Sequence, residues 1–438
     1  MDPTRRELAH LLRRAGFGAT PAELDAAVRL GYDATVEWLL HPERAPDDVE
    51  NRIGALELDV SRPEGLRLAW LYRMLLTKRP LQEKMVLFWH GHLTSAVSKV
   101  GGPRAPELFK RQLALFREHA LGNWRELLQG ISRDAAMLAY LDNRLNRKGA
   151  PNENYARELM ELFALGIGNY TEDDVKDAAR AFTGWTVNRE GQFQVAPRFH
   201  DTDPKTVLGR SGNLDGDDVI DAILAQPAAA PFLASKLFRF FAYDDPEPAV
   251  VDRLCGVFRD SGYDLRALVG AILRAPEFRS ERAYHARIKS PVEFALGALK
   301  ALEAETIPRD LPVVLRRMGQ DLLNPPSVKG WDGGPAWINA MTVLERANYA
   351  NRLASARGER GESYLDPAAL VRAYPTPEAL VDYFAERCLD GDLPASSRAA
   401  LLDYLREGGD PAADANAADR KIRGLAHLVM ASPLYQLN

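Results

Sequence analysis

Apolar residues recur every three to four positions along most of the chain, and Gly, Pro, Asn or Asp interrupts this pattern at short intervals. The periodicity predicts a series of amphipathic helices. Thr20 followed by Pro21 is typical of a helix start, because the threonine caps free amides and proline fits the first turn. The predicted helices cover 4–16, 21–40, 63–90 with a break near Pro80, 105–121, 123–130, 132–140, 152–165, 171–184, 215–225, 231–243, 248–262, 264–274, 290–305, 312–322, 342–355, 367–373, 377–389, 395–406 and 418–431.

The segment 185–200 departs from the helical pattern. Apolar and polar residues alternate there around Gly191, which predicts a β-hairpin. The polar run SARGERGES at 355–363 is typical of a linker. We therefore predict a mainly α-helical protein: a large multi-helix array over 1–355 that carries the small β-hairpin insert, followed by a helical C-terminal subdomain over 356–438.

Composition and charge exclude several classes of protein. Of the 438 residues, 46% are hydrophobic, which excludes a disordered chain. The 56 basic residues are interleaved with 61 acidic ones, giving a net charge of −5, so we do not expect a nucleic acid as partner. No apolar run reaches the roughly 18 to 20 residues of a membrane span, which predicts a soluble protein. No secretory signal is visible, so the expected location is cytoplasmic.

The motif content narrows the chemistry further. Cys255 and Cys388 lie in different helical segments, so we expect two buried thiols and neither a disulfide framework nor a zinc knuckle. The sequence contains no GxSxG, HExxH, P-loop, GxGxxG or CxxC motif. The common serine hydrolase, zincin and nucleotide-binding classes therefore have no support.

The segment FWHGHLTS carries two histidines, His90 and His92. In a strand or extended loop, histidines at i and i+2 point to the same side and can hold one metal ion. On a helix the same two side chains diverge by about 200°. The alternative is a helix C-terminus, where Gly91 ends the helix and a histidine satisfies the last carbonyl groups.

The segment NENYARELMELF predicts an amphipathic helix with Asn152 as its N-cap. Asn154, Arg157, Glu158 and Glu161 then share one face. In the functional interpretation Glu158 and Glu161 are paired carboxylates for acid–base catalysis or metal binding, and Arg157 and Asn154 orient the substrate. The alternative is a solvated face that an Arg157–Glu161 pair stabilises.

Two loops hold further candidate residues. His200, Asp201 and Lys205 follow the hairpin, where they form either the edge of a site or an Asx-type turn. Trp331 and Trp337 lie among glycines in a proline-rich loop. A flat ligand such as a sugar ring can stack on an indole in that setting, and the alternative is that both indoles fill the core.

Several segments, in this order, resemble the bacterial family known as domain of unknown function eighteen-hundred. The resemblance spans roughly 5–437. By itself it implies no particular activity. It implies that many relatives are exported and are encoded beside a second family similar to alkaline-phosphatase-type hydrolases, whereas this chain shows no export signal. The segments are FGATPAELDAAVRLGYDATVEWLL, FWHGHLTS, NENYARELMELFALGIGNYTEDDVKDAARAFTGW, FHDTDPKTVLG, FLASKLFRFF, LRAPEFRS and NPPSVKGWDGGPAWIN.

We hypothesise an enzyme whose cleft collects the polar residues of these segments. A carboxylate of Glu158 or Glu161 acts as general base or metal ligand, and histidines bind metal or transfer protons. Arg157 and Lys205 hold an anionic group. The cleft residues are His90, His92, Asn154, Arg157, Glu158, Glu161, His200 and Asp201.

Hydrolysis of a polar substrate, such as a saccharide stacked on Trp331, is the simplest reaction for this cleft. A mixed set of histidines and carboxylates suits a divalent transition metal: zinc, iron or manganese. The competing hypothesis is a non-enzymatic helical binding or assembly protein, in which the same residues form a buried polar network that fixes helix register. The sequence does not identify a partner protein.

Overall fold

The computed structural model of the protein describes residues 2–357, 364–407 and 415–438. Within these ranges the chain forms 23 α-helices and four short strands, which confirms a mainly α-helical fold with a small β-hairpin insert. None of these helices is both long and apolar enough to cross a bilayer. Most of the predicted linker at 355–363 lies outside the described residues.

The helices before the first strand begin and end largely where the pattern predicts. Thr20 accepts a hydrogen bond from the Glu23 amide and Pro21 starts the helix, as expected. Gly31, at φ +86°, divides the predicted helix 21–40 in two. The helices are α1 (Pro3–Arg14), α2 (Pro21–Leu30), α3 (Tyr32–Leu40), α4 (Val49–Gly54), α5 (Pro63–Leu76), α6 (Pro80–His92), α7 (Val97–Val100), α8 (Ala105–Glu118), α9 (Trp124–Arg133), α10 (Ala135–Tyr140), α11 (Asn154–Glu158) and α12 (Glu172–Ala181).

Helix α11 differs from its prediction at both ends. It continues into a π-helical turn, Leu159–Ala164, that the periodicity does not reveal. Asn152 lies one residue too early to be the N-cap. Its side chain accepts from the Asn154 amide instead, at 3.0 Å, while Glu153 occupies the N-cap position.

Two antiparallel hairpins follow α12. The strands β1 (Trp185–Val187) and β2 (Phe193–Val195) form the predicted one. The second, β3 (Lys205–Val207) with β4 (Arg210–Gly212), was not predicted, because β4 reads Arg-Ser-Gly and has no large apolar residue to alternate with polar ones. Strand β3 packs on α12.

The remaining helices surround a core that runs through the whole molecule. Buried apolar side chains from Leu8 in α1 to Tyr435 form one connected cluster, and both cysteines are buried as expected. The division at residue 355 stays a prediction. The helices are α13 (Gly216–Leu224), α14 (Ala229–Phe241), α15 (Pro248–Asp260), α16 (Leu265–Arg274), α17 (Pro291–Ala301), α18 (Leu311–Arg317), α19 (Ala340–Ser355), α20 (Pro367–Ala373), α21 (Pro377–Leu389), α22 (Ala395–Arg406) and α23 (Ala415–Ala431).

Candidate functional site

The end of α6 and the loop between α18 and α19 meet through close backbone contact. Gly330 adopts φ +86°, and a Cβ at this position would collide with the carbonyl oxygen of Gly91. Glycine at 330 therefore allows the loop to approach the helix. The indole of Trp331 lies beside Gly91, 3.6 Å from where a Cβ would stand. This contact joins the FWHGHLTS and NPPSVKGW segments.

The two histidines of FWHGHLTS lie in the last turn of α6, so the extended geometry required for a shared metal ion is not present. His90 is fully buried, and its Nε2 accepts a hydrogen bond from the Leu323 amide at 3.0 Å. Its ring contacts Trp70 and Trp331 edge-on. Burial lowers the pKa of His90 to about 3, so the ring is neutral and holds the loop in place.

His92 points to a different part of the molecule. Its Nε2 lies 2.9 Å from the carbonyl oxygen of Phe163, and a carbonyl only accepts, so we assign the ring hydrogen to Nε2. The other nitrogen, Nδ1, then accepts from the Nζ of Lys236 at 3.2 Å. Burial, followed by the charge of Lys236, holds the pKa of His92 well below its usual value.

Lys236 is the central cation of this region. Its Nζ also donates to the carbonyl oxygen of Leu162 at 3.2 Å and lies 4.5 Å from the Phe232 ring centroid. No described carboxylate forms an ion pair with it. Burial and, to a lesser extent, the charges of Arg239 and Lys329 lower the pKa of Lys236 to about 8.

Lys236 and His92 face a hollow of about 320 Å³, which we call the basic hollow. Half-buried Trp331 and Trp337, which is only 7% exposed, both form part of its wall. The basic hollow therefore brings together His92, Trp331 and Trp337 of the predicted residues. The complete lining is Leu87, Phe88, Gly91, His92, Lys236, Arg239, Phe240, Asp244, Arg287, Ser290, Glu293, Gln320, Lys329, Trp331, Asp332, Gly333, Gly334 and Trp337.

Two of the three acids in this lining already have cationic partners. Glu293 pairs with the fully buried Lys84, and Asp332 pairs with Lys329 at 2.7 Å. Burial acts to raise the pKa of Glu293, but Lys84 and other cations lower it to about 2. Asp244 is the third acid.

The cations that remain are Lys236, Arg239 and Arg287, and none of them pairs with a carboxylate among the described residues. Arg239 Nε donates to the backbone oxygen of Asp244 at 2.8 Å, and Arg287 donates to the backbone oxygen of Arg239. Cationic side chains thus exceed acidic ones in the basic hollow. None of these three residues was predicted from the sequence, although Lys236 and Arg239 interrupt the apolar segment FLASKLFRFF.

The polar face of α11 belongs to a second group of contacts. Arg157 binds Glu172 through two nitrogens, at 2.7 and 2.8 Å, and Glu153 at 3.0 Å. The Arg157–Glu161 pair predicted as an alternative does not form, because Glu161 accepts from the Tyr170 hydroxyl instead.

Two residues of this face keep free polar groups. Asn154 is exposed at the start of α11. Glu158 is half-buried, with no hydrogen bond or ion pair to its carboxylate among the described residues. Burial and the neighbouring Glu161 raise the pKa of Glu158. The role of Glu158 as an acid or base stays a prediction.

The residues after the first hairpin form a third group. His200 Nδ1 donates to the carbonyl oxygen of Thr183 at 2.8 Å. Asp201 binds Arg180 at 2.8 Å and accepts from the Asp203 amide at 2.9 Å, which is the Asx-type turn given as the alternative. Burial acts to raise the pKa of Asp201, but Arg180 and the Asp203 amide lower it to about 2.

Lys205 is buried in the same turn. Its Nζ donates to the carbonyl oxygen of Asp203 at 3.0 Å. Burial lowers the pKa of Lys205. The amine therefore closes the turn, and the contacts described for it do not reach the basic hollow.

The three groups occupy different places around α11 and α12. Arg157 binds Glu172 at the start of α12, whereas Asp201 binds Arg180 near its end, and eight residues of helix separate these positions by about 12 Å. His92 reaches this region through Phe163, by a hydrogen bond to its backbone and an edge-on contact with its ring. The contacts of the described residues do not gather the predicted cleft residues into one cluster.

Metal binding has no preformed set of donors in the part of the chain that the structure describes. No three His, Cys, Asp or Glu side chains are grouped there so as to hold an ion. The predicted zinc, iron or manganese therefore finds no such ligand set among these residues.

Fold and site define a mainly α-helical protein with a basic, indole-lined hollow. The chain belongs to the family described as Protein of unknown function (DUF1800), whose model matches residues 10–437. This match confirms the resemblance seen in the sequence. Searches of curated proteins and of solved structures return no match to this chain.

Proposed function

We propose that the protein binds a small, negatively charged polar molecule, of the size of a sugar, in the basic hollow. The observation that carries this proposal is Lys236, a largely buried amine that faces the hollow and pairs with no described carboxylate. Burying a charge without an opposite charge costs several kcal/mol, and a bound anion offsets that cost.

Different residues of the lining would contact different parts of such a ligand. Lys236, Arg239 and Arg287 supply charged hydrogen-bond donors to a carboxylate or phosphate group. Trp331 and Trp337 offer indole surfaces to a sugar ring. A volume of about 320 Å³ suits a ligand of this size.

The hypothesis of a metal-dependent hydrolase is not needed for this proposal. Arg157, Glu161, His200 and Asp201 have protein partners, which favours the alternative of a structural polar network for these four residues. Hydrolysis of the bound molecule, and a part for Glu158 in it, stay predictions that the basic hollow itself does not require.

Isothermal titration of the full chain with galacturonate and glucose 6-phosphate tests the proposal, with neutral glucose as the matched ligand. We expect both anions to bind and glucose to bind at least about tenfold more weakly, because it lacks the charged group. Arg239→Gln should weaken anion binding by about 10- to 100-fold.

The control variant is Arg253→Gln, which changes an arginine of α15 that pairs with Glu277 and does not line the hollow. Its affinity should equal that of the unchanged protein. Equal binding of glucose and the anions, or an equal loss in both variants, contradicts the proposal.

A further inference from the structure

The two hydrogen bonds of Lys236 determine what its nitrogen presents to the hollow. A neutral amine has two hydrogens and one lone pair. His92 Nδ1 and the Leu162 carbonyl oxygen, each 3.2 Å from Nζ, are both acceptors and take up the two hydrogens. The lone pair then takes the remaining direction, and Lys236 is one of the residues that line the hollow.

We propose that Lys236 is a nucleophile that forms an imine with the carbonyl carbon of an anionic aldehyde or ketone bound in the basic hollow. This inference rests on the proposed function, because the same cations must hold the anionic group of the substrate. It narrows the ligand to a molecule that carries both a reactive carbonyl and a carboxylate or phosphate.

The reaction is balanced without an oxidant or reductant. The ammonium first releases one proton to solvent in the hollow. The nitrogen lone pair then attacks the carbonyl carbon, a C–N bond forms, and the C=O π electrons move to oxygen, which gives a carbinolamine. The oxygen leaves as water with the two amine hydrogens, and a C=N bond remains.

The surroundings of Lys236 favour this chemistry. Desolvated lysines next to other cations lose their proton more readily, which makes the amine available as a nucleophile. With its pKa at about 8, a substantial share of the amine is neutral near pH 8. His92 is a positioning residue here, because its neutral ring orients the amine.

Lys84 provides the internal contrast. It is also buried close to the hollow, but its ammonium pairs with Glu293 and donates to the carbonyl oxygen of Gly16 at 2.9 Å. Burial lowers the pKa of Lys84, while the Glu293 carboxylate acts in the opposite direction by favouring the ammonium form. Lys84 thus has a carboxylate partner, whereas Lys236, which lines the hollow, has none among the described residues.

Reductive trapping tests the inference directly. The full chain is incubated with pyridoxal 5′-phosphate, which combines an aldehyde, a phosphate and a flat ring, and is then reduced with sodium borohydride. We expect about one equivalent of adduct, which peptide mass spectrometry maps to Lys236. Pyridoxal without the phosphate should label Lys236 about tenfold more slowly, because Arg239 and Arg287 no longer hold it.

The variants separate this inference from the proposed function. Lys236→Arg keeps the charge but forms no imine, so it should lose the adduct and still bind galacturonate. The control is Lys176→Arg, on α12, which should keep both the adduct at Lys236 and the binding of galacturonate. Galacturonate binding without an adduct at Lys236 in the unchanged protein refutes the imine and leaves the proposed function standing. Failure of the unchanged protein to bind any of the anions refutes the proposed function. Mapping the adduct on the unchanged protein tests the imine even if a variant fails to fold.

Discussion

The basic hollow and the polar surface along α12 are both rich in charged side chains, but they differ in how these charges are matched. Along α12, Arg157 meets Glu153 and Glu172, and Arg180 meets Asp201. In the basic hollow, the hydrogen bonds and ring contacts of Lys236, Arg239 and Arg287 go to backbone oxygens, a neutral imidazole and aromatic rings. Arg287 also feels the charges of Glu293 and Asp244, but it forms no ion pair with either of them.

Under the proposed function, this difference separates charges that stabilise the fold from charges that bind a ligand. A cation with its own carboxylate gains little from an additional anion, and removing either partner destabilises the protein. A largely buried cation without a carboxylate lowers stability, which is the pattern of binding and catalytic sites. The predictions below test this contrast by changing residues of each kind.

The largest effect is expected for Glu293→Gln, which leaves the fully buried Lys84 without its carboxylate. We expect a loss of about 3–5 kcal/mol in the free energy of unfolding, measured by urea denaturation at pH 7. The pKa of Glu293 is lowered from 4.5 to about 2, so its stabilisation is fully present above about pH 4.5 and disappears as the pH falls through 2.

The double variant Lys84→Met with Glu293→Gln serves as control for this prediction. It removes the unpaired charge as well and should recover most of the lost stability. A single Glu293→Gln variant within about 1 kcal/mol of the unchanged protein shows that the pair does not hold the fold.

A smaller loss is expected for Asp201→Asn, which weakens the contact to Arg180 in the largely buried turn after the first hairpin. We expect the free energy of unfolding, measured by urea denaturation, to fall by about 1–3 kcal/mol, because a charge-assisted hydrogen bond is lost. Its pKa is lowered from 3.8 to about 2, so this contribution is present above about pH 3.8 and is lost as the pH falls through 2.

Asp203→Asn is the matched control, because its carboxylate is exposed and contacts only Lys148 among the ion pairs described. It should change stability less than Asp201→Asn does. If Asp201→Asn leaves the free energy of unfolding unchanged but alters ligand binding, the result would instead support the predicted catalytic role of Asp201.

Arg157→Gln should have a minor effect. Its ion pairs with Glu153 and Glu172 lie at the surface, where water screens them, so we expect a loss below about 1 kcal/mol in thermal or urea unfolding. Galacturonate binding should stay unchanged. A loss of binding in this variant would place Arg157 in the site after all.

The pH dependence of stability should reveal the lowered pKa of Lys236. Its pKa is lowered from 10.5 to about 8, so the unfolded chain binds more protons between these values, and stability rises with pH over that interval. The pKa values of Lys84, Lys205 and Lys289 are also lowered and act in both proteins. Lys236→Met should therefore gain less stability than the unchanged protein when urea midpoints at pH 7 and 9.5 are compared. The charged or titratable groups that face Lys236 are His92, Arg239, Asp244, Arg287, Glu293, Lys329 and Asp332.

The comparison with Lys236→Met isolates the amine, because these neighbouring groups are the same in both proteins. His92 stays neutral throughout, since its pKa lies well below 6.5. Parallel changes of the two proteins between pH 7 and 9.5 would show that the pKa of Lys236 is not lowered.

Most of the fold could be predicted from the sequence, because helix periodicity and capping are local signals. Thr20 and Pro21 begin a helix as expected, and the β1–β2 hairpin lies where residues alternate. The π-helical turn after Glu158 could not be predicted, because its apolar pattern is the same as that of an α-helix. The β3–β4 hairpin could not be predicted, because Arg210–Gly212 contains no large apolar residue and so shows no alternation.

The candidate site could be predicted only in part. Trp331 and Trp337 attract notice as indoles among glycines, and both line the hollow. Lys236 gives no such local signal. Its partner His92 lies 144 residues away, and the absence of a paired carboxylate is a property of the folded molecule. Contacts between segments that are distant in the sequence therefore determine which charged residues are candidates for the site.

The most direct test of this account is a joint measurement of stability and binding in Lys236→Met at pH 7. We expect the melting temperature to stay equal to or rise above that of the unchanged protein, since a largely buried unpaired ammonium is removed, while titration with galacturonate shows no binding. A protein that melts much lower and still binds galacturonate would show that Lys236 supports the fold and not the ligand.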